Sequence, residues 1–548
     1  MLRLFPEHEI RIVQSLDGLW TLKAAGEERT APVPGVWESL PGLGDWRGTA
    51  EYRRGVSLPR RGGVLLRFGG VSHTARVYWD GREVGGHYNA FTGFDILIPE
   101  AEAGAHTLTV AVDNRFSPES ALHIPNDYMT YGGITRPVEA HMVEGAYIQR
   151  TAFYARETGE GAFEVHARVW VHAMKGGRYS LTVDAAGGSG EAHMTLSEGE
   201  TGSEEVIFGV QNVSVWDQNS PNLYRLRAVL GQNGVQIDDL FDRVGFRTVE
   251  VAGEDILLNH KKLTIRGFNR HEDWGQFGCA VPPQAMALDL ELMRDMGGNS
   301  VRTCHYPNDQ RFLDLCDEMG MLVWEEHHAR AIPGEILRTE TFERQISDCN
   351  REMIAQHVNH PCIYVWGVLN ECESETEFGR GGYEKNLRQL REMDPTRPVT
   401  FATCRHYTDV CLDLADIVSW NLYPLWYTDE DPEKCIRDIL AWSDGHGAKG
   451  KPCLVSEIGA GAIPGYHDPL GRVKWSEERQ ADILQFQLSA ALRDKRLSGV
   501  YVWQFADCRV CEEKWFSARP RTMNNKGVVD EFRRPKMGYA AVKKAFGG

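Results

Sequence analysis

The first 278 residues of this 548-residue chain contain no cysteine; all twelve lie between Cys279 and Cys511. Small β modules that rely on disulfides would need them in that first half, so a disulfide-stapled scaffold is excluded and a reducing compartment is expected. Nowhere do about 18 apolar residues run together, so no membrane-spanning helix is expected. The segment from Met1 to Glu9 has no apolar run of signal-peptide length, and the expected location is cytoplasmic. Cations are in deficit: 60 Lys and Arg stand against 77 Asp and Glu, a net charge of −17. That balance argues against nucleic acid or an acidic membrane as the partner. An anionic ligand would have to be drawn in by a local cation against the field of the whole molecule. Low-complexity segments and short-period repeats are also missing.

What is present is a change of rhythm along the chain. Residues 1–145 read as short β-branched and aromatic runs, including Val64–Phe68, Ala75–Trp79 and His106–Val112, with Asp17-Gly18 and Asp80-Gly81 as turn signals. A jelly-roll β-sandwich is expected there. Residues 146–249 continue with alternating strands such as Phe163–Val171 and Tyr224–Val229, which fits an immunoglobulin-like sandwich without its cysteine pair. From 250 to 548, eight apolar strand candidates alternate with helix-length segments such as Thr341–His357 and Glu478–Arg493. The strands begin with Leu263–Gly267 and Asn299–Thr303 and end with Cys453–Ser456 and Gly499–Trp503. Eight such units in about 300 residues predict a (β/α)8 TIM barrel.

Barrel enzymes do their chemistry at the C-terminal ends of the strands. The fourth strand runs into Asn370-Glu371, the one Asn-Glu dipeptide in the chain, and the seventh into Ser456-Glu457. Two carboxyl groups on one rim suit glycosidic bond cleavage. One protonates the leaving oxygen while the other attacks the anomeric carbon, with the pair about 5–5.5 Å apart when configuration is retained. A solvated loop glutamate is the ordinary alternative for either, and position in the barrel is what sets these two apart.

With Asn370-Glu371, Gly267–Asp273, Val301–Pro307 and Asn421–Tyr427 in view, the chain resembles glycoside hydrolase family 2, and within it the bacterial β-glucuronidases. The resemblance covers essentially the whole chain, in the order jelly roll, immunoglobulin-like domain, catalytic barrel. It implies that Glu371 is the general acid/base, Glu457 the nucleophile and Asn370 the partner of the sugar 2-hydroxyl. It places Tyr423 and Tyr427 along the site, Trp503 as an apolar floor, and His305 near the sugar or behind it. Asn524-Asn525-Lys526 resembles the Asn-x-Lys motif with which glucuronidases grip the C6 carboxylate, and Asp127 stands where the family sends an Asp from the jelly roll to a sugar hydroxyl. Arg519 and Arg521 both lie near the place of a further family arginine, and Arg521 is taken as the site residue.

The resemblance implies a retaining exo-β-glucuronidase needing no cofactor or metal, with a small-molecule or oligosaccharide glucuronide as substrate. Within enzymes β-galacturonidase and neutral-sugar β-galactosidase stay open as alternatives, and outside them a non-catalytic carbohydrate-binding protein. Cys508 and Cys511 are expected as free thiols. The short loop from Glu326 to Thr341 predicts an open site, finished by a neighbouring subunit of a homo-oligomer.

Overall fold

The computed structural model describes residues 1–548. Its first unit is a sandwich of two antiparallel sheets. One holds four strands in the order Ile12–Ser15, Val138–Val143, Gly62–Phe68, Phe94–Ala101, and the other holds six. Inward residues alternate with outward ones along strands such as Gly18–Ala24, and 29 buried side chains around Trp20, Trp37 and Val110 form its own core. The second unit packs a three-stranded sheet on a four-stranded one. Its strand Ala162–Ala173 alternates buried residues with half-buried or exposed ones along its length, over a separate core of 25 residues.

The third unit is a closed parallel barrel. Its strands are β1 (Ile265–Asn269), β2 (Ser300–Thr303), β3 (Leu322–Glu326), β4 (Ile363–Gly367), β5 (Val399–Thr403), β6 (Ile417–Asn421), β7 (Cys453–Ile458) and β8 (Leu497–Val502). Seven of the eight are buried at every position, as expected where helices cover the outside and side chains fill the inside. The surrounding helices are α1 (Pro283–Asp295), α2 (Gln310–Met319), α3 (Glu340–His357), α4 (Glu377–Met393), α5 (Pro432–Ser443), α6 (Glu477–Arg493) and α7 (Met537–Phe546). Side-chain oxygens of Asp309, Thr339, Thr376, Asp431 and Ser476 accept first-turn N–H groups and set where five of them start.

The eightfold alternation has one gap. Between β5 and β6 there is a single 3-10 turn, Leu412–Leu414, in place of an α-helix. The thirteen residues between those strands are too few for two loops and a helix that spans the barrel.

The segment between residues 114 and 137 carries the jelly roll onto the barrel rim. Arg136 donates to Glu272 at 2.8 Å, Tyr131 donates to Asp273 at 2.8 Å, and the Phe91 ring stacks on Tyr306 with centroids 3.8 Å apart. Each of these partners is buried, so the first unit is fixed against the mouth of the barrel. No helix is long and apolar enough to cross a membrane.

Candidate active site

Behind the rim, Gly367 closes β4 where a Cβ would sit 2.3 Å from the Trp324 indole nitrogen. The chain can pass there only as glycine, and it then bends to present Asn370 and Glu371. From β7, Glu457 projects to the same side, and both carboxyls line one cavity of about 270 Å³.

Their surroundings differ. Arg302, fully buried on β2, donates to Glu457 Oε1 at 3.0 Å, and the Tyr423 hydroxyl donates to Oε2 at 2.6 Å. The same guanidinium reaches Asn370 Oδ1 at 2.7 Å, Asn269 Oδ1 at 3.0 Å and both oxygens of Glu326 at 2.9 Å. Glu371 instead accepts from the Asn421 amide at 2.9 Å and from Arg330 at 3.3 Å. Ser456 donates to Asn421 Oδ1 at 2.7 Å, which turns the amide N–H group toward Glu371. Burial and the charge of Glu371 push the Glu457 carboxyl up to about 7, against the pull of Arg302 and Tyr423.

Asn370 has its Oδ1 fixed by Arg302 and its buried Nδ2 without a protein partner. A buried amide donor left open is costly unless a ligand completes it, so this group is poised for an acceptor in the cavity.

On the facing wall stand two cations. Lys526, 2% exposed, donates to the Tyr427 hydroxyl at 2.9 Å. Burial works against it, but the ammonium still holds the Tyr427 phenol below its ordinary value. Arg519 makes a two-pronged ion pair with Asp127, its Nε reaching Oδ1 at 2.9 Å. Asp127, Arg519, Lys526, Tyr423, Tyr427 and Trp503 all line the cavity with the two glutamates.

Three expectations need correction. Arg521 pairs with Glu531, is not among the residues lining the cavity, and leaves the place it was given to Arg519. Arg521 takes a left-handed turn (φ 63°), so its side chain departs from the course of Arg519, two residues earlier. Asn524 is fully buried behind the wall, where its amide donates to Asp127 at 3.1 Å and so holds that carboxylate. His305 also lies behind the cavity. It bonds Glu326 at 2.7 Å and stacks under Trp503 with centroids 5.2 Å apart, so it backs the floor and does not line it.

The sequence reading missed Arg330, His406 and Trp515, which also line the cavity. The last of these, with Arg519, comes from the stretch between Cys508 and Met523. That stretch walls the site from within the same chain. Cys508 and Cys511 are free, the first beside Gln504 and the second near Arg47. The elements of the site are two carboxyls, an open amide donor and three cations, Arg330, Lys526 and Arg519, around one cavity.

Comparison with known proteins agrees with that arrangement. The family description "Glycosyl hydrolases family 2, TIM barrel domain" matches residues 249–548, and "Glycosyl hydrolases family 2" matches 146–247. The crystal structure of a β-galacturonidase from Eisenbergiella tayi, bound to galacturonate, is 46% identical with a TM-score of 0.95, covering 100% of this chain and 99% of that one. A β-glucuronidase of Streptococcus agalactiae is 27% identical over 91% of this chain and 88% of its own length. A putative β-glucuronidase of Formosa agariphila is 27% identical over 87% of this chain, which spans 61% of that longer protein. On the strength of the barrel match, which takes in more than half its residues, the chain belongs to glycosyl hydrolase family 2.

Proposed function

We propose that the protein is a retaining exo-β-uronidase, cleaving a terminal uronic acid from its aglycone. The observation that carries this reading is the shared cavity of Glu371, Glu457, Lys526 and Arg519. The carboxyl pair supplies the chemistry, and the two cations supply the charge that an acidic protein otherwise lacks for an anionic sugar.

In the first step Glu371 gives its proton to the glycosidic oxygen while Glu457 attacks C1. The C1–O bond breaks, the aglycone leaves as an alcohol, and a glycosyl ester forms on Glu457. In the second step Glu371 takes a proton from water, whose oxygen attacks C1. The ester opens and Glu457 returns to the carboxylate. Arg302 and Tyr423, one on each oxygen of Glu457, favour its ionised form and aim it before attack. The open Nδ2 of Asn370 donates to the sugar 2-hydroxyl. Lys526 and Arg519 exchange Tyr427 and Asp127 for the C6 carboxylate, which releases Asp127 to accept from a sugar hydroxyl. Trp503 supports the apolar face of the ring.

Glucuronide and galacturonide differ only at C4. The curated relatives favour the first, as the sequence reading does. The 46% whole-length likeness to a β-galacturonidase favours the second and is the stronger of the two. Hydrolysis of p-nitrophenyl β-D-glucuronide, galacturonide, galactoside and mannoside side by side tests the proposal. Turnover of either uronide far above both neutral sugars is expected, and the ratio of the two uronides decides the C4 preference. Preference for a neutral sugar would overturn the role of the cations, and no turnover of any of the four would favour a binding protein.

A further inference from the structure

The bend that presents the candidate acid/base is strained. Leu369 (φ 44°) and Glu371 (φ 52°) both take the left-handed conformation, and neither is glycine. A side chain in that region persists only where its surroundings over-determine it.

The peptide groups of Leu369 are held at both ends by buried side chains. Its N–H donates to His327 Nε2 at 2.7 Å, and its carbonyl accepts from the Tyr383 hydroxyl of α4 at 2.6 Å. On the other side of the ring, His327 Nδ1 is 2.7 Å from Asn350 Oδ1 on α3. The Asn350 amide in turn donates to Asn386 Oδ1 and Gln389 Oε1 of α4, both at 2.8 Å. These partners fix one neutral tautomer, with the proton on Nδ1 and the lone pair of Nε2 toward Leu369. Burial holds the imidazole down to about 4, so it stays an acceptor at neutral pH. His327, Asn350 and Tyr383 are all 1% exposed or less, and none lines the cavity that holds the carboxyl pair. Their bonds end on the backbone two residues before Glu371.

We propose that His327 and Tyr383 are positioning residues for Glu371, fixing the Leu369 peptide so that the acid/base is held in its left-handed bend. This rests on the reading of Glu371 as acid/base. Displacing that group by even about 1 Å can cost on the order of 100-fold in rate, and the loss has a signature of its own. In the first step, which kcat/KM reports, it falls on substrates whose leaving group needs a proton and spares those whose leaving group does not.

The test uses the full chain with aryl β-uronides of graded leaving-group acidity, comparing His327→Leu, His327→Gln, Tyr383→Phe and Glu371→Ala. His327→Leu removes the acceptor, while His327→Gln returns an amide oxygen close to the place of Nε2. The expected result is a kcat/KM loss for His327→Leu of about 100-fold or more on phenyl uronides and under about 10-fold on dinitrophenyl uronides. Added azide, which attacks the glycosyl enzyme without a base, should speed the dinitrophenyl reaction, and His327→Gln should restore the phenyl reaction. Tyr383→Phe, which removes a single hydroxyl, should show the same leaving-group slope in weaker form and serves if His327→Leu does not fold. Equal losses across the series without azide rescue, in both His327→Leu and Tyr383→Phe, would overturn the positioning role, provided Glu371→Ala shows slope and rescue. If Glu371→Ala shows neither, the acid/base reading itself falls.

Discussion

Replacing Lys526 with methionine keeps the length of the stem and removes one charge, which isolates its role in uronate recognition. The ammonium is 2% exposed, and its one hydrogen bond is to the Tyr427 hydroxyl at 2.9 Å. With a uronate bound it faces a carboxylate in a site that excludes much of the solvent. The bare Coulomb term for such a pair at about 4 Å is roughly 4 kcal/mol at an effective dielectric of 20. Part of that is spent on desolvation, and a hydrogen bond to a charged group is worth about 1.5–3 kcal/mol net. At about 1.4 kcal/mol per tenfold, kcat/KM for the uronide should fall roughly 10- to 150-fold. The carboxylate is present in ground and transition states alike, so most of the loss should appear in KM. Any slow turnover of p-nitrophenyl β-D-galactoside, which has no carboxylate, should be unchanged. The measurement is kcat and KM on both substrates for parent and variant. Equal losses on uronide and galactoside, or no loss on either, would refute the assignment of the cation to C6.

The two arginines separate in the same assay. Arg519→Gln should lower uronide kcat/KM about tenfold, whereas Arg521→Gln, whose partner is Glu531, should leave it alone. The pH profile follows from the nucleophile. Glu457 must be ionised to attack, and with its carboxyl pushed up to about 7 it loses its proton as pH rises through that value, so kcat/KM should climb along an acid limb near pH 7. Tyr423 stabilises the ionised form of Glu457, so Tyr423→Phe should move that limb to higher pH; a shift to lower pH would contradict the geometry. Gly527 follows Lys526 where a Cβ would lie 2.2 Å from the backbone nitrogen of Asp507. Gly527→Ala should therefore cost about 3 kcal/mol of stability, read by thermal unfolding, and should raise KM for the uronide by displacing the lysine.

The parts of the fold that were legible in the sequence are those written in a local period. The eight barrel strands fall where apolar runs of four to five residues were read, and the helices at Thr341–His357 and Glu478–Arg493 begin within one residue of those limits. A strand buried on both faces reads as an unbroken apolar run, and a helix against a barrel reads as a stripe with a capping residue ahead of it. The connection from β5 to β6 shows the limit of that reasoning. Counting strands implied a helix after each, but Leu412–Leu414 makes only one turn because the chain there is too short.

Apart from the resemblance, the site was legible only where a side chain acts from the end of its own strand. Glu371 and Glu457 satisfy that condition, and their place in the barrel order was enough to bring them together. Asp127 and Arg519 do not. They lie 392 residues apart and meet because the jelly roll and a loop near the C-terminus approach the same rim from different sides. No period in the sequence encodes that meeting, and nothing local decided between Arg519 and Arg521. Arg330 was harder still. It comes from a loop noted only for being short, yet that shortness keeps its guanidinium between Asn126 at 3.0 Å and Glu371 at 3.3 Å. Its backbone also bridges that of Asn370, so the position of the cation and of the acid/base bend are set together. The charge pattern supports the same view: in a molecule of net charge −17, the cations around the carboxyl pair come from loops and from β2, Arg302, Arg330 and Arg519 each held by an acid or amide and Lys526 by the Tyr427 hydroxyl. Such partners can be recognised only once the fold has brought them within reach.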